Sequence, residues 1–175
     1  TAVSLSDNGN IVAIGAPHNY GDSIIGQWFD YQGHTRIYEY SNNSWTQMGS
    51  DINGSAAYNW SGSALSLSSD GQTVAIGAYM SGVSGTTLGN RGHVELHRYD
   101  NSNWNQIQSN INGESGGDRS GFAVSLSDDG QTVGIGAIKD DGNSTNTNYN
   151  SGQVRVFTSM PPSYSNGTGT FCQGD

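Results

Sequence analysis

The chain has 175 residues, enough for one domain of ordinary size, and only 12% of them are charged. Lys and Arg number 6 against 15 Asp and Glu, so the formal net charge is −9 and the clustered cations that nucleic acid or an anionic membrane surface requires are missing. No apolar run approaches the ~20 residues of a membrane-spanning helix. The sequence opens in a predicted strand, so we expect any signal peptide to be absent or already removed.

One phrase of 15 residues occurs three times, at 2–16, 64–78 and 123–137, so successive copies begin 62 and 59 residues apart. A period near 60 that keeps its glycines indicates a repeat protein. In each copy, alternating apolar residues lead to an Asn-Gly or Asp-Gly pair and then to β-branched residues. This order predicts a strand, a tight hairpin turn and a second strand.

The second strand of each hairpin is bulky on one face and nearly bare on the other. Val12 and Ile14 alternate with Ala13 and Gly15, and the later copies repeat the pattern. Because neither face carries a charge, we predict a strand buried between two layers, one of which approaches closely. Sheets that are stacked face to face around an axis would bury the second strand in this way.

Two further strands follow each hairpin after a polar, glycine-rich loop. The third strand alternates apolar and polar residues and is predicted to be half-buried. The fourth is marked by Trp45 in the first unit and Trp104 in the second, whereas Pro161 and Pro162 follow in the third and cannot join a ladder. Four short strands per repeat predict an all-β fold built of β-propeller blades.

The repeats divide the chain into three blade units and a tail. The predicted units are 1–62, 63–121 and an incomplete 122–160, followed by a Pro- and Gly-rich tail at 161–175. Propellers typically close with 4–8 blades, so three units predict an arc of a larger propeller or array whose bare faces meet further blades. The partner is either the rest of a longer chain or further copies of this one.

The units resemble the FG-GAP-type repeats of integrin α-subunit propellers. Ser120-Gly121-Phe122-Ala123 stands where that family has its Phe-Gly and following strand, and Gly15-Ala16-Pro17 stands where it has Gly-Ala-Pro. The resemblance covers nearly the whole chain. It is closest to divergent versions in large secreted proteins of bacteria, algae and protists, some of which belong to surface appendages, and it implies a β-propeller fold.

One feature of that family is missing. The integrin-type blade carries a calcium loop of alternating acids between its first two strands, where this chain has only the tight turns that contain Asp7, Asp70 and Asp128. Calcium takes 6–8 oxygen ligands, which a turn with one or two carboxylates does not supply. We therefore predict no metal site and no cofactor.

The sequence shows no catalytic constellation. Asp128-Asp129 repeats a turn of the other units, so turn chemistry explains it, and Asp140-Asp141 lies in an unrepeated loop that suits at most a weak calcium site. His34 and His93 follow equivalent glycines, which makes them structural by repetition, and His97 lies on the same strand as His93. No serine sits in a Gly-x-Ser-x-Gly elbow. We therefore predict that the protein is not an enzyme.

Several features favour an extracellular or cell-surface location. Cys172 is the only cysteine, so an intermolecular disulfide and an unpaired thiol are both open. Five tripeptides match the N-glycosylation acceptor pattern, and all of them lie in predicted turns or loops. Their asparagines are Asn42, Asn53, Asn59, Asn143 and Asn166.

Two of the four tryptophans lie in predicted loops. Trp28 and Trp60 could stack on a sugar ring, although loop aromatics often pin a loop to its own blade. Trp45 and Trp104 recur in register, which indicates packing within the blade.

The leading functional hypothesis is a non-enzymatic structural or adhesive repeat protein outside the cell, which assembles with further blades or copies. It depends on the repeat, on the lack of catalytic groups and on the acceptor sites. A glycan-binding module that uses Trp28 and Trp60 is the alternative, and a polysaccharide-acting enzyme is the third interpretation. The expected partners are further copies of this chain or the rest of a longer chain, together with glycans. Nucleic acid is not an expected partner.

Overall fold

A computed structural model describes residues 1–20, 31–82, 89–140 and 151–158 of the chain. All regular elements in these ranges are β-strands, which confirms the predicted all-β fold. The strands form three antiparallel sheets, which we call blades one, two and three. The described ranges contain no helix of the length and apolarity needed to cross a membrane. The predicted tail at 161–175, with Cys172, lies outside the described residues.

Blades one and two share one plan, in which three strands follow each other across the sheet and two short strands pair with the outer side of the third. Blade one consists of β1 (Ala2–Leu5), β2 (Ile11–Ala16), β3 (His34–Ser41), β4 (Ser44–Gln47) and β5 (Ile52–Asn53). Blade two consists of β6 (Ala64–Leu67), β7 (Thr73–Ala78), β8 (His93–Tyr99), β9 (Trp104–Gln106) and β10 (Ile111–Asn112). Blade three consists of β11 (Ser120–Leu126), β12 (Thr132–Ala137) and β13 (Gln153–Thr158).

The repeated phrase forms the first hairpin of each blade, as predicted. In blade two Leu67 lies opposite Val74, and Gly71 has a φ of 70°, a left-handed conformation that glycine adopts without strain. The Ser68 hydroxyl donates to the Asp70 carboxylate at 2.6 Å, and the same carboxylate oxygen accepts the backbone N–H of Gln72 at 2.9 Å. The acid in the turn therefore closes the hairpin, in agreement with turn chemistry.

The apolar side chains form two cores, one in each space between neighbouring blades. Ile76 and Leu96 are almost fully buried, on opposite faces of blade two. The core between blades one and two contains Ile11, Ala13, Ile37, Met48, Ile52, Leu67, Val74, Ile76 and Trp104. The core between blades two and three contains Ala75, Val94, Leu96, Val133 and Ile135.

The bare face of the second strand receives the backbone of the next blade, which confirms the predicted close approach. A Cβ atom on Gly15 would lie 2.0 Å from the Gly62 carbonyl oxygen, and one on Gly77 would lie 2.2 Å from that of Gly121. No side chain fits at such distances. Glycine is therefore required where the connector, the segment that links two blades and ends in Ser61-Gly62 or Ser120-Gly121, crosses the strand.

Blade two alone among the described blades has a neighbour on both sides, and this corrects two predictions. Strand β7 is buried along its whole length, but in blade one Ile14 is 38% exposed because no described blade packs against that face. The third strand is not half-buried in blade two, since Glu95 is only 6% exposed. The reason is that β8 lies between two other blades, so its polar face is covered as well.

Two tryptophans at the same repeat position differ in their surroundings. The indole N–H of Trp104 donates to the Met48 carbonyl oxygen of blade one at 2.9 Å, whereas Trp45 is 48% exposed. We expect Trp104→Phe to lower the free energy of unfolding by about 1–2 kcal/mol, because a buried carbonyl loses its donor. Trp45→Phe should change it by less than about 0.5 kcal/mol. Urea unfolding followed by circular dichroism measures both, and equal losses would contradict this assignment.

Candidate functional site

Strand β8 places three polar side chains in one row. His93, Glu95 and His97 alternate with Val94 and Leu96, and successive side chains of a strand point to opposite faces. Val94 and Leu96 belong to the core between blades two and three. The polar row therefore lies on the other face of blade two, the face that packs against blade one.

A serine from the loop after β7 extends this row into a chain of four side chains, which we call the polar relay (Ser81, His93, Glu95 and His97). The Ser81 hydroxyl lies 2.6 Å from His93 Nδ1, His93 Nε2 lies 3.1 Å from Glu95 Oε1, and His97 Nε2 lies 3.1 Å from Glu95 Oε2. All four residues are buried. Because an ionised carboxylate only accepts hydrogen bonds, both Nε2 atoms donate, and Nδ1 of a neutral His93 accepts from the serine.

The carboxylate in the relay is held in its charged form. Burial by itself raises the pKa of Glu95, but the hydrogen bonds from His93 and His97 outweigh this effect and lower the pKa from 4.5 to about 2. Glu95 is therefore an anion at neutral pH. An anion fixed beside His93 stabilises any positive charge that His93 gains by taking up a proton.

The serine end of the relay borders a cleft of about 300 Å³ between blades one and two. Ser81, Arg91 and His93 come from blade two, and Asn59 comes from the connector that leaves blade one. The Arg91 Nε–H donates to the Gly113 carbonyl oxygen, which holds the guanidinium at the cleft. The full lining is Ser55, Ala56, Asn59, Ser81, Gly82, Arg91, Gly92, His93, Asn110 and Asn112.

The relay departs from the repeat. In each blade the backbone carbonyl of one loop residue accepts the N–H of the glycine before the third strand, and this residue is Asn19, Ser81 or Asp140. Among the described blades, blade two is the one that has a serine at this loop position together with histidine and glutamate on its third strand. The residues at the four relay positions are Asn19, His34, Arg36 and Tyr38 in blade one, and Asp140, Gln153, Arg155 and Phe157 in blade three.

Carboxylates occupy the corresponding place between blades two and three. Asp118 and Asp140 are both buried there, at the positions that Asn59 and Ser81 hold between blades one and two. Burial raises the pKa of Asp118, and the nearby charge of Asp140 raises it further, although the backbone N–H of Ser115 donates to Asp118 at 2.6 Å. In the part of the chain that the structure describes, no group of three or more His, Cys, Asp or Glu could hold a metal ion.

The acceptor asparagines lie in different environments. Asn42 is exposed in the turn between β3 and β4, whereas Asn53 is exposed but belongs to β5. Asn59 is only 4% exposed, and its side-chain amide donates to the Ser55 hydroxyl at 3.0 Å. The prediction that all acceptor sites lie in turns or loops is therefore corrected for Asn53, which belongs to a strand, whereas Asn59 lies in a loop but is buried. Asn143 and Asn166 lie outside the described residues.

Trp60 lies within a group of rings at the end of the blades that carries the connectors. Its ring centroid is 4.7 Å from that of His18 and 5.6 Å from that of Tyr79, both in edge-to-face geometry. These contacts show that the ring packs against its neighbours, and it is only partly exposed. Trp28, the other predicted stacking residue, lies outside the described ranges.

The sequence analysis did not find the polar relay. The spacing of His93, Glu95 and His97 at every second residue was the available signal, since the other units do not place two histidines and a glutamate at these three positions. Treating His93 as structural by repetition concealed it, because His34 shares its position but not its partners. Ser81 carries no sequence signal, since a loop brings it to the relay.

The three stacked antiparallel sheets, each contacting the next through one face, define the chain as a β-propeller type of protein. No family model and no curated protein matches the sequence, so membership of the FG-GAP family is not shown. Similarity is found to solved structures.

Three solved structures resemble this fold. A protein from Bacteroides uniformis, provisionally named a 6-phosphogluconolactonase, matches with a TM-score of 0.54 and 17% identity over 97% of this chain and 39% of its own. The periplasmic gluconolactonase of Pseudomonas aeruginosa matches with a TM-score of 0.53 and 14% identity over 90% of this chain and 39% of its own. The tricorn protease matches with a TM-score of 0.50 and 9% identity over 98% of this chain and 16% of its own.

At these identities the similarity establishes the fold, and this chain spans 39% of the length of each lactonase. It also corrects the functional prediction. The hypothesis of a non-enzymatic structural or adhesive protein is wrong, because the similar structures are named as enzymes and none of them has a name that indicates adhesion. The prediction that the protein is not an enzyme fails for the same reason.

Proposed function

We propose that this chain forms part of a propeller hydrolase that opens a cyclic ester of a sugar acid at the cleft between blades one and two. The observation that carries the proposal is the hydrogen-bonded order Ser81, His93, Glu95, which is that of a nucleophile, a general base and an orienting carboxylate. The substrate class is taken from the names of the two lactonases that share the fold.

The proposed first half of the reaction forms an ester on the enzyme. The Ser81 oxygen attacks the lactone carbonyl carbon while its proton moves to His93 Nδ1, and Glu95 stabilises the resulting imidazolium. Collapse of the tetrahedral intermediate breaks the bond between the carbonyl carbon and the ring oxygen. The ring oxygen takes the proton from His93 and becomes a free hydroxyl group, while the acyl group stays on Ser81.

The second half restores the enzyme. His93 takes a proton from a water molecule, whose oxygen attacks the acyl carbon. The bond to Ser81 then breaks, and the serine oxygen recovers its proton from His93. One water is consumed, and the product is a hydroxy acid. Arg91 lines the same cleft, and in this proposal its positive charge attracts the negative oxygen that develops in both halves.

The loss of the Ser81 hydroxyl tests the proposal. With δ-gluconolactone as substrate, we expect Ser81→Ala to lower kcat by about 10³-fold or more, measured by alkali uptake at constant pH after subtraction of spontaneous hydrolysis. His34→Gln, at the position in blade one that corresponds to His93, should keep the wild-type rate. A fluorophosphonate should label wild-type Ser81, as located by peptide mass spectrometry. Unchanged turnover in Ser81→Ala would exclude the serine mechanism.

The finer prediction of a location outside the cytoplasm is kept as part of the proposal. Its support is that Asn42 and Asn53 are exposed acceptor sites, and that one protein of similar fold is periplasmic by name. The FG-GAP character of the repeats is likewise proposed, supported by the Ser-Gly pairs before β6 and at the start of β11, and by the Gly-Ala pair that ends each second strand.

A further inference from the structure

The two interfaces between described blades are built in the same way around a Ser-Gly connector. The connector lies against the glycine before the third strand of the preceding blade, where a Cβ on Gly33 would lie 2.2 Å from the Ser61 carbonyl oxygen and one on Gly92 would lie 2.1 Å from that of Ser120. The second-strand glycines are covered equally closely by the next residue of the connector. Four glycines thus mark where the backbone of a following blade crosses.

Blade three has glycines at the same two positions, but the described residues do not cover them. A Cβ on Gly136 would meet nothing closer than the Ala123 Cβ at 3.4 Å, and one on Gly152 nothing closer than the Ala137 carbonyl oxygen at 3.6 Å. Both are distances of ordinary contact, and both atoms belong to blade three itself. Gly152 has a φ of 78°, which by itself favours glycine, but Gly136 has no positive φ, so nothing within the described blade requires glycine at position 136.

The side chains of the third strand show the same contrast. Ile37 and Leu96 are each 1% exposed because the next blade covers them, whereas Val156, at the same position in blade three, is 47% exposed. Val94 is fully buried, and its counterpart Val154 is 72% exposed. Blade three therefore presents a β-branched, uncharged face of the kind that the other two blades bury.

A polar contact recurs across both occupied interfaces. Ser4 of blade one accepts the backbone N–H of Leu67 at 3.0 Å, and Ser66 of blade two accepts that of Leu126 at 2.9 Å. In each case a serine hydroxyl on the first strand of one blade accepts a hydrogen bond from an edge N–H group on the first strand of the next blade. Ser125 holds this position in blade three and is exposed.

We propose that this face of blade three (Val154, Val156, Gly136, Gly152) is the docking surface for a fourth blade of the same repeat, which enters through a Ser-Gly connector. This face has the features that both described interfaces use: exposed β-branched side chains on the third strand, a glycine on the second strand and a serine on the first. A further blade of the same repeat would therefore bind blade three in the way that blade two binds blade one. The proposal does not depend on the proposed hydrolase function.

The occupant is specified by the connector. Blade one also leaves an apolar face open, with Val3 60% and Leu5 57% exposed, so a second copy could bring its first blade to blade three. Both described interfaces, however, are entered through a Ser-Gly connector whose two carbonyl oxygens lie against the two glycines of the preceding blade. A unit of the type of blades two and three fits the glycines of blade three better.

The test compares one substitution in two chains. The first is the 175-residue chain, and the second is residues 1–158 followed by a second copy of residues 99–158, which adds the outer strands of blade three, a Ser-Gly connector and the inner strands of a fourth blade. Gly136 has no positive φ, so Gly136→Ala introduces a methyl group without backbone strain. The matched control is Gly77→Ala, at an occupied site in both chains.

We expect Gly77→Ala to lower Tm by about 5–10 °C in both chains, and Gly136→Ala to change it by less than about 2 °C in the 175-residue chain. In the extended chain, Gly136→Ala should lower Tm about as much as Gly77→Ala does. An equally small effect of Gly136→Ala in both chains would overturn the proposal. A large effect in the 175-residue chain would also overturn it, because another segment would then already cover the site.

Sedimentation velocity tests the choice of occupant. A 175-residue chain that stays monomeric supports a connector-bearing blade. Head-to-tail oligomers that Leu5→Glu and Val154→Glu each abolish, but that re-form as dimers when the two variants are mixed, would overturn this choice in favour of a second copy. The mixing result is specific, because each variant retains one intact face of a heterologous interface.

Discussion

Replacing Glu95 with glutamine is expected to lower the free energy of unfolding by about 2–4 kcal/mol at pH 7. Glu95 accepts hydrogen bonds from His93 and His97 at 3.1 Å each, in a buried space between blades one and two. A glutamine side chain offers one accepting oxygen, and its amide group would face a second N–H donor. One buried group is then left without a partner, which is more costly than losing an exposed hydrogen bond.

The same substitution should alter the dependence of stability on pH. The folded pKa of Glu95 lies at about 2, below its ordinary value of 4.5, so its contribution is fully present above about pH 4.5 and is lost as the pH falls toward 2. This contribution is on the order of 3 kcal/mol. Urea unfolding of both proteins at pH 7, 4.5, 3 and 2 should show the gap between them narrowing below pH 4.5. A gap of constant size would contradict the shifted pKa.

Activity provides a second measurement on the same variant. If Glu95 orients and stabilises His93, Glu95→Gln should reduce kcat on δ-gluconolactone by about 10²–10⁴-fold with a smaller change in KM. Arg36→Gln is the matched control, because Arg36 holds the position of Glu95 in blade one. The Arg36 side chain is 45% exposed and forms an ion pair with Asp51 at 2.8 Å. The control should keep both its fold and its turnover. Loss of stability in Glu95→Gln without loss of turnover would indicate a purely structural relay.

Ile76→Ala is expected to lower the free energy of unfolding by about 3–5 kcal/mol. The same substitution at Ile14, its counterpart in blade one, should have a much smaller effect. Ile76 is fully buried between blades one and two. Truncation removes three carbons from a packed core and leaves a cavity that the rigid sheets fill only in part.

Ile14→Ala provides the matched control, since Ile14 has the same position in blade one and is 38% exposed. It should cost about 1 kcal/mol or less, because solvent already reaches the side chain. Urea unfolding with comparison of midpoints and slopes measures both variants. Similar losses at the two positions would mean that the open face of blade one is covered in solution.

The local features of the fold were predictable because they depend on neighbouring residues. Alternation along the strands and the Asn-Gly or Asp-Gly pairs determine the hairpins, as Gly71 shows with its φ of 70°. The bare side of the second strand correctly indicated that another layer comes close. These signals act over a few residues and recur in each unit.

The candidate site was not predictable in the same way. Ser81 reaches His93 through a loop, and the burial of Glu95 depends on blade one lying across β8. Repetition even obscured the site, because His34 has the same position as His93 without the serine and the glutamate. A sequence repeat describes what its units share, whereas this site arises from what one unit does not share.

The sequence by itself determined the strands, the turns and the glycine positions at which successive blades meet, because these follow from side-chain period and backbone conformation. Only the tertiary structure decided that blade two is covered on both faces and that Ser81, His93, Glu95 and His97 form one hydrogen-bonded chain. The physical reason is that burial and hydrogen-bond partners depend on the neighbouring blade and on loop geometry, which no local pattern encodes.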